Sequence, residues 1–462
     1  MIVDTYSSNG ENRKVILLAV TLSSFATPFI TSAVTIALPA ISREFKIDAV
    51  LLGWIATSYL LAAAVVLIPF GRIADIFGRR RIFTCGISVF TIASLLCCLA
   101  RSPLLLIIWR VFQGAGGAMV FATGIAILIS VYPAEERGRV IGIIITATYA
   151  ALAIGPVLGG FLTKSLGWRS IFFVSGLLGA VTTGVVVIRL KEKRASARDE
   201  HFDFSGSMIY GFSLIAFIYG LSRLPERIGF LLIIFGIIGI FIFLRAQEGS
   251  PQPLLNLKLL RDNRLFARSN LSALIMYSST FATGFLLSLY LQYIKGFGPH
   301  TAGLIFLARR LTQAIFSSSA GRISDRIEPA IIASVGIFFS IIGLILLITL
   351  NQETSTMFII ITLCLLGLGF ALFSSPNTNA IMGSVERHSY GVAAAMNGTM
   401  RLIGQMLSMG MAMVAIATVM GKIQIAPQTY PVFLKAMRIT LGVFVVICSG
   451  GLWVSVTRGR LR

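Results

Sequence analysis

The stretch GRIADIFGRRR, residues 71–81, decides the fold of this chain, because a shortened copy of it, GRISD, returns at residues 321–325. Each copy follows an apolar run, so each marks the end of a hydrophobic segment. A second echo joins FATPF at residues 25–29 to FATGF at residues 281–285. The chain is therefore predicted to consist of two related halves.

Composition places the chain in the membrane. Of its 462 residues, 56% are hydrophobic and 12% are charged, whereas soluble globular domains carry about 25% charged residues. The formal charge of +21 does not indicate a nucleic acid partner, because the basic residues lie in short loops and form no continuous basic face. The five cysteines all fall in apolar segments, so no disulfide framework or metal motif is predicted.

Fourteen apolar runs are long enough to cross a bilayer core about 30 Å thick. The first of them is too long for the core of a signal peptide, so it is expected to remain as a helix. With both termini on the cytoplasmic side, the inner loops hold most of the 39 Lys and Arg residues, as the positive-inside rule requires. The approximate extents are 15–39, 49–70, 82–100, 103–132, 139–163, 169–189, 204–222, 228–245, 266–293, 300–320, 330–350, 355–383, 390–420 and 434–456.

These runs predict an all-α, polytopic membrane protein made of two six-helix bundles and an inserted two-helix hairpin. Halves of this kind place a substrate site at their interface near the midplane, with rocking between them giving alternating access. The predicted parts are an N-terminal bundle at 1–190, a cytoplasmic linker at 191–203, the hairpin at 204–245, a second cytoplasmic linker at 246–265 and a C-terminal bundle at 266–462.

The loop at residues 71–81 joins the second and third spans on the inner face. Gly71 permits close approach of helices, and Gly78 allows a tight turn. Asp75 can accept hydrogen bonds from a helix N-terminus or an arginine, while Arg79 and Arg80 keep the loop inside. A basic loop with an ordinary helix cap is the alternative interpretation.

Two further stretches carry unusual residues inside spans. WRVFQGAGGA at 109–118 places Arg110 and Gln113 one turn apart in the fourth span. AIGPVLGGF at 153–161 places Pro156 among small residues in the fifth span. A kinked, closely packed helix would explain the second stretch without any functional role.

In this order, GRIADIFGRR, WRVFQGAGGA and GPVLGG resemble the signatures of the major facilitator superfamily, and fourteen spans resemble its drug:proton antiporter branch. FDFSG at 202–206, PLLNLKLLRDNRLF at 253–266 and NGTMRLIGQ at 397–405 extend the likeness over nearly the whole chain. The first span departs from that branch, because Ile30 stands where exporters of cationic drugs often carry an acidic residue.

The resemblance implies a gate latch of Asp75 with Arg79, proton transfer at Arg110, an antiporter bend in the fifth span, and a polar pair in the thirteenth. The bend and its neighbours are Gly155, Pro156, Gly159 and Gly160, and the polar pair is Asn397 and Arg401.

Arg309 and Arg310 lie side by side near the middle of the tenth span, where a charge costs at least about 2.5–3.5 kcal/mol. Three explanations stay open. The arginines snorkel to the surface, or buried carbonyls and hydroxyls satisfy them, or at least one joins Arg110 or Arg401 in a positive cavity that favours an anionic or neutral polar substrate. Polar residues that could orient such a substrate are Gln113, Gln313, Asn377, Asn379 and Gln405.

The sequence thus predicts a secondary active transporter that exports small, drug-like organic compounds across the plasma membrane by proton antiport. An exporter of an anionic or neutral metabolite with an arginine-lined cavity is the alternative, and a channel or non-transporting sensor is disfavoured. No acidic residue lies well inside a span, so the group that carries the coupling proton stays open among Asp75, Glu135, Glu136, Asp203 and His300. The expected partners are the substrate, the proton and the lipid bilayer. The protein is expected to be monomeric, without enzymatic activity, cofactor or metal.

Overall fold

A computed structural model describes residues 10–189, 202–249, 253–255, 257–386, 390–421 and 423–459. None of these residues lies in a β-strand. Apolar composition alone favours helices here, because only an α-helix satisfies every backbone group within one span. Polar residues begin several helices, as where Asp48 accepts from the Leu51 amide at 2.8 Å. The predicted all-α polytopic fold is confirmed.

The helices follow one another with short connections. The N-terminal bundle consists of α1 (Gly10–Phe45), α2 (Ala49–Phe77), α3 (Arg79–Cys98), α4 (Pro103–Val131), α5 (Ala134–Leu166) and α6 (Arg169–Arg189). The hairpin consists of α7 (Phe204–Ser222) and α8 (Arg227–Gly249). The C-terminal bundle, preceded by the short α9 (Leu257–Asp262), consists of α10 (Arg264–Thr280), α11 (Thr283–Leu289), α12 (Pro299–Ser324), α13 (Pro329–Ile348), α14 (Thr356–Gly383), α15 (Tyr390–Met420) and α16 (Tyr430–Val456).

Thirteen helical segments in the described ranges are long and apolar enough to cross a membrane, with α10 and α11 counted as one. The fourteenth predicted span is α12, which is less apolar because it carries the arginine pair together with several Ser, Thr and Gln residues. It nevertheless packs against α5 and α14 as a full-length helix of 26 residues. Its hydropathy does not mark α12 as a span, so a fourteenth membrane crossing by this helix stays a prediction.

The two bundles repeat the same arrangement. In the first, α2 packs on α4, α3 packs on α4 and α6, and α1 packs on α5 and α6. In the second, α12, α13 and α10 take the places of α2, α3 and α1, and α14, α15 and α16 take those of α4, α5 and α6. Gly86 and Gly336 mark equivalent close contacts, since an added Cβ would lie 3.0 Å from the Gly116 oxygen and 2.6 Å from the Gly369 oxygen.

The hairpin lies against both bundles. Helix α7 packs on α2 and α15, and Tyr210 donates to the Ala64 carbonyl at 3.1 Å. Helix α8 packs on α7 and exposes most of its apolar side chains to the surroundings. Of the predicted linkers, 191–203 is described only from residue 202 onward. The second contains α9 and the last turn of α8.

One predicted span is not a continuous α-helix. The run at 266–293 is divided between α10 and α11 at Phe281, and it ends in a π-helical turn, Tyr290–Ile294. At the break, the Ala282 amide donates to Ser408 Oγ of α15 at 2.9 Å instead of to the preceding turn. A side chain from another helix thus replaces a helical hydrogen bond, which is a recognised cause of kinks.

Because successive spans alternate in direction, α1 begins and α16 ends on the same side of the bundle. We call this side the termini side and the opposite one the distal side. The loop at 71–81 lies on the termini side, where Gly78 at φ 107° lets α3 begin directly after α2 ends.

Candidate substrate cavity

The two bundles are joined on the distal side. Ser288 Oγ donates to the Thr35 carbonyl at 2.7 Å, and Gln292 Nε2 donates to the Ile36 carbonyl at 2.9 Å. Beyond the helix ends, Gln424 Nε2 donates to the Lys46 carbonyl at 2.7 Å. These bonds connect α1 and the loop after it to the broken span and to the loop after α15, and so close the distal end of the interface.

Glycines of the fifth-span motif complete this closure. Gly160 faces α12, where an added Cβ would clash with the Pro299 carbonyl and lie 2.9 Å from His300 Cα. Across the same contact, a Cβ on Gly303 would clash with the Pro156 carbonyl. Gly159 instead faces α1, with Ala33 Cα at 2.8 Å from the added atom. The motif therefore holds α5 between α1 of its own bundle and α12 of the other.

The fourth-span motif is buried among helices of the N-terminal bundle. Arg110 is 1% exposed and donates through Nε to the Ile55 carbonyl at 3.0 Å and through Nη1 to Gln113 Oε1 at 2.6 Å. Gln113 in turn donates to Ser94 Oγ at 2.7 Å, and the guanidinium carbon lies 4.4 Å from the centre of the Tyr59 ring. Arg110 therefore has partners on α2 and α4, and Gln113 extends the network to α3.

The two adjacent arginines of α12 differ in their surroundings. Arg309 is 8% exposed and donates to Thr283 Oγ1, at the start of α11, at 2.9 Å. Its Nε has no hydrogen-bond partner among the described residues. Arg310 is only partly buried. Its one hydrogen bond to a described residue goes to Gln313 Oε1 at 3.2 Å. The sequence could not distinguish them, because Thr283 is distant along the chain.

Arg310 and Arg401 point toward the interface between the bundles. Arg401 lies over the Phe121 ring of the other bundle, with its guanidinium carbon 4.9 Å from the ring centre. Tyr277 lies near both arginines, and Tyr149 of α5 lies near Arg310. These residues lie close to the middle of their helices. The structure therefore places two of the four membrane-depth arginines at the centre of the interface.

A serine contacts a tyrosine across the interface. Tyr149 Oη and Ser374 Oγ are 3.3 Å apart, within hydrogen-bond distance, and Tyr277 lies nearby. Phe370 packs edge-on against Tyr277, with ring centres 5.4 Å apart. We call Arg310, Arg401, Tyr149, Tyr277 and Ser374 the central cluster.

The remaining polar candidates lie in different places. Gln313 is 3% exposed and accepts from Arg310. Asn397 and Gln405 are partly buried on α15, one turn before and one turn after Arg401, so they share its face. Asn379 donates to Ser324 Oγ at 2.6 Å at the termini side of α12 and α14.

Asn377 belongs to a separate network that the sequence analysis missed. It accepts at 2.6 Å from Arg458, which follows α16 and is fully buried, and it donates to the Ser269 carbonyl at 3.1 Å. Burial lowers the pKa of the Arg458 guanidinium to about 10, so it stays charged near neutral pH. From sequence, Arg458 is one more basic residue after the last span, and nothing local signals its burial.

The termini-side loop contains the expected ion pair. Arg79 Nε donates to Asp75 Oδ1 at 2.8 Å, linking the end of α2 to the start of α3. Both side chains are more than 40% exposed, and Arg80 is partly buried beside them. Gly71 has no atom within 4 Å of an added Cβ, so it makes no close helix contact here, contrary to the expectation from sequence.

The candidates for proton coupling lie away from the central cluster. Asp203 caps α7 and accepts from Gln247, and His300 packs against Phe161 on the distal side. Glu136 is exposed at the start of α5, and the side chain of Glu135 lies outside the described residues. No described carboxylate forms an ion pair with any of the four membrane-depth arginines, Arg110, Arg309, Arg310 and Arg401.

Two repeated helical bundles that enclose a polar cluster at membrane depth define a secondary transporter rather than an enzyme. The family model described as Major Facilitator Superfamily matches residues 20–409. The chain belongs to this superfamily.

Similar proteins agree with this assignment. The Riboflavin transporter RibZ of Clostridioides difficile is 28% identical over 387 residues, covering 84% of each chain. The Multidrug resistance protein Stp of Mycobacterium tuberculosis is 30% identical over 395 residues, covering 84% of this chain and 73% of Stp. Among solved structures, a bacterial homolog to the human lysosomal transporter Spinster, inward-facing and unoccupied, superposes with a TM-score of 0.73 at 16% identity and covers 97% of each chain.

Proposed function

We propose that this protein exports small, amphiphilic organic compounds from the cytoplasm across the plasma membrane by alternating access. The observation that carries the proposal is the central cluster, which lies between two repeated bundles and is closed on the distal side. The names of similar proteins support export, because one is called a multidrug resistance protein, although another is called a riboflavin transporter.

The orientation of the protein in the membrane follows from the distribution of Lys and Arg among its loops. The loops on the termini side are the ones richest in Lys and Arg, so the positive-inside rule places both termini in the cytoplasm. The distal seal then faces outward. A state that is closed toward the outside is the one from which an exporter loads its substrate.

We further propose proton antiport as the source of energy, on the strength of the resemblance to drug:proton antiporters. Gly160 of the fifth span supports a common architecture, because it lies at the contact between α5 and α12 that must open and close. Without a carboxylate in the central cluster, the coupling proton has to be carried by a group elsewhere or by the substrate itself.

The test uses purified protein in proteoliposomes with an imposed pH gradient. We expect compounds that are substrates to accumulate beyond their equilibrium ratio and the gradient to dissipate as they do so. A protonophore should abolish the accumulation. Accumulation that persists with the protonophore would contradict proton antiport, whereas mere equilibration of every compound would contradict active export and favour a channel.

A further inference from the structure

Two of the four membrane-depth arginines, Arg310 and Arg401, combine unused hydrogen-bond donors with partial exposure at the interface between the bundles. A guanidinium has five N–H donors. Arg310 uses one of them on Gln313 at 3.2 Å, and Arg401 makes no hydrogen bond to any described residue, resting only on the Phe121 ring. Both side chains are partly exposed, so their free donors face the space between the bundles.

The other two arginines are buried, and their side-chain hydrogen bonds go to residues of their own bundle. Arg110 is held by the Ile55 carbonyl, Gln113 and the Tyr59 ring, and Arg309 is held at the start of α11 by Thr283. Arg310 and Arg401 are therefore distinguished by their partial exposure at the interface between the bundles rather than by the number of their hydrogen bonds. A charge at this depth is costly unless it is paired, so its natural counterpart is a negative group that arrives with the substrate.

The surroundings of the two charges suit a flat ring system. Phe121 lies beneath Arg401, while Tyr277 lies near both arginines and meets Phe370 edge-on at 5.4 Å. Aromatic faces of this kind bury planar groups, and the hydroxyls of Tyr149 and Ser374 supply further hydrogen bonds. Arginine in turn matches carboxylate and phosphate oxygens through two parallel hydrogen bonds.

We propose that the transported compounds are planar aromatic anions whose carboxylate or phosphate binds between Arg310 and Arg401 while the ring system packs against Phe121, Tyr277 and Phe370. This inference rests on the proposed export function and names its substrate class. Since Phe121 and Tyr149 belong to one bundle and both arginines to the other, such an anion contacts both of the moving parts.

The test is equilibrium binding to the purified full-length protein in detergent with a matched series of probes. The probes are naphthalene-2-carboxylate, its uncharged amide and the corresponding aminomethyl cation, together with the same three derivatives of anthracene. We expect each carboxylate to bind at least about tenfold more tightly than its amide, because hydrogen bonds to charged groups are the stronger kind, and the cation to bind most weakly.

Variants locate the site. Arg310→Gln and Arg401→Gln should each abolish the preference for the carboxylate, while Arg310→Lys and Arg401→Lys should retain part of it, which controls for loss of folding. Arg322→Gln serves as the matched control, since Arg322 lies on α12 but is exposed near its termini-side end, beside Ser318. It should bind all six probes as the wild type does.

Failure of this inference can be told apart from failure of the export proposal. Equal binding of carboxylate and amide, tighter binding of the cation, or an unchanged preference in both glutamine variants would overturn the anion site. Transport of neutral or cationic compounds in proteoliposomes would then leave export standing. Conversely, anion binding by a protein that accumulates no compound in any gradient would overturn export and leave the site intact.

Discussion

Arg110 and Arg401 both lie at membrane depth and both contact an aromatic ring, but they have opposite surroundings. Arg110 is fully enclosed by α2 and α4, whereas Arg401 has donors free at the interface. The role of an arginine here depends on partners from other helices. Neither the residue type nor its depth reveals it.

We predict that Arg110→Ala destabilises the protein more than Arg401→Ala does. Arg110 makes two hydrogen bonds, each contributing about 1.5–3 kcal/mol for a charged group, and a desolvated cation–π contact of about 2 kcal/mol. Thermal unfolding of the two purified variants measures the difference. Equal midpoints would show that the Arg110 network does not stabilise the fold.

We predict that Asp75→Asn slows transport by up to about fivefold, the effect of about 1 kcal/mol on the balance between access states. The fold should persist, because an exposed ion pair contributes only about 0–1 kcal/mol. Initial transport rates in proteoliposomes give the result. Glu226→Gln is the matched control, since Glu226 forms a comparably exposed pair with Arg223 at 3.4 Å in the turn of the hairpin; equal rates in both variants would remove the gate role.

Residue identities in the sequence predicted which arginines lie at membrane depth, because each interrupts a long apolar run. They did not predict which of these arginines have hydrogen-bond or aromatic partners within the protein. The partners of Arg309 and Arg401 lie on other helices at Thr283 and Phe121, and Arg458 lies beyond the last span. Burial of this kind arises from the packing of helices, so no local pattern reports it.

At the scale of elements, the contact between α5 and α12 is the feature that the fifth-span motif builds. Gly160 and Gly303 let the two helices touch backbone to backbone on the distal side. The sequence predicted close packing at this motif but not its partner. The distance between residues 160 and 303 along the chain hides the contact.

We predict that Gly160→Ala opens the distal seal. Overpacking at a close contact costs about 1–3 kcal/mol, which shifts the distal-closed population by roughly tenfold or more. Transport should fall, and a cysteine placed at Thr35 on a cysteine-free background should react faster with an impermeant maleimide from the distal side.

Gly142→Ala provides the control for this experiment. Gly142 lies on the same helix, but an added Cβ there meets no atom within 4 Å. Because alanine is the better helix former by about 1 kcal/mol, this variant should be as stable as the wild type or more so. Identical labelling rates in the two variants would show that the glycine contact does not seal the interface.

Boundaries of the elements were predictable wherever an apolar run ends in a polar or glycine-containing turn, as α15 at Tyr390–Met420 shows. The break in the span at 266–293 was not predictable in this way. Its break at Phe281 depends on Ser408, which takes the hydrogen bond of the Ala282 amide. A tertiary contact thus overrides the local preference for a continuous helix.

At the scale of the whole molecule, the internal repeat predicted two bundles correctly, and the equivalent contacts of Gly86 and Gly336 show how closely they correspond. The division into separable parts stays a prediction. Helix α7 buries Tyr210, Leu214 and Ile218 against α2 and α15, so the hairpin is packed on the bundles and is more than an appendage.

We predict that deletion of residues 204–245 still allows the two bundles to assemble. The surface that this uncovers, around Leu61, Ala64 and Met406, is apolar. Lipid covers such a surface at little cost, because apolar burial provides no net driving force within a bilayer. Size-exclusion chromatography and thermal unfolding of the deletion variant provide the measurement. Aggregated or unfolded protein would show that α7 is required for the bundles to associate.

The missing carboxylates at membrane depth have an electrical consequence. An empty carrier that holds Arg310 and Arg401 uncompensated bears a positive charge at its centre, and the proposed anionic substrate neutralises part of it. In a cell with a negative interior, moving one negative charge outward is favoured by about 2.3 kcal/mol per 100 mV. Export of such an anion is therefore electrogenic. The membrane voltage then acts together with the pH gradient in driving the substrate out.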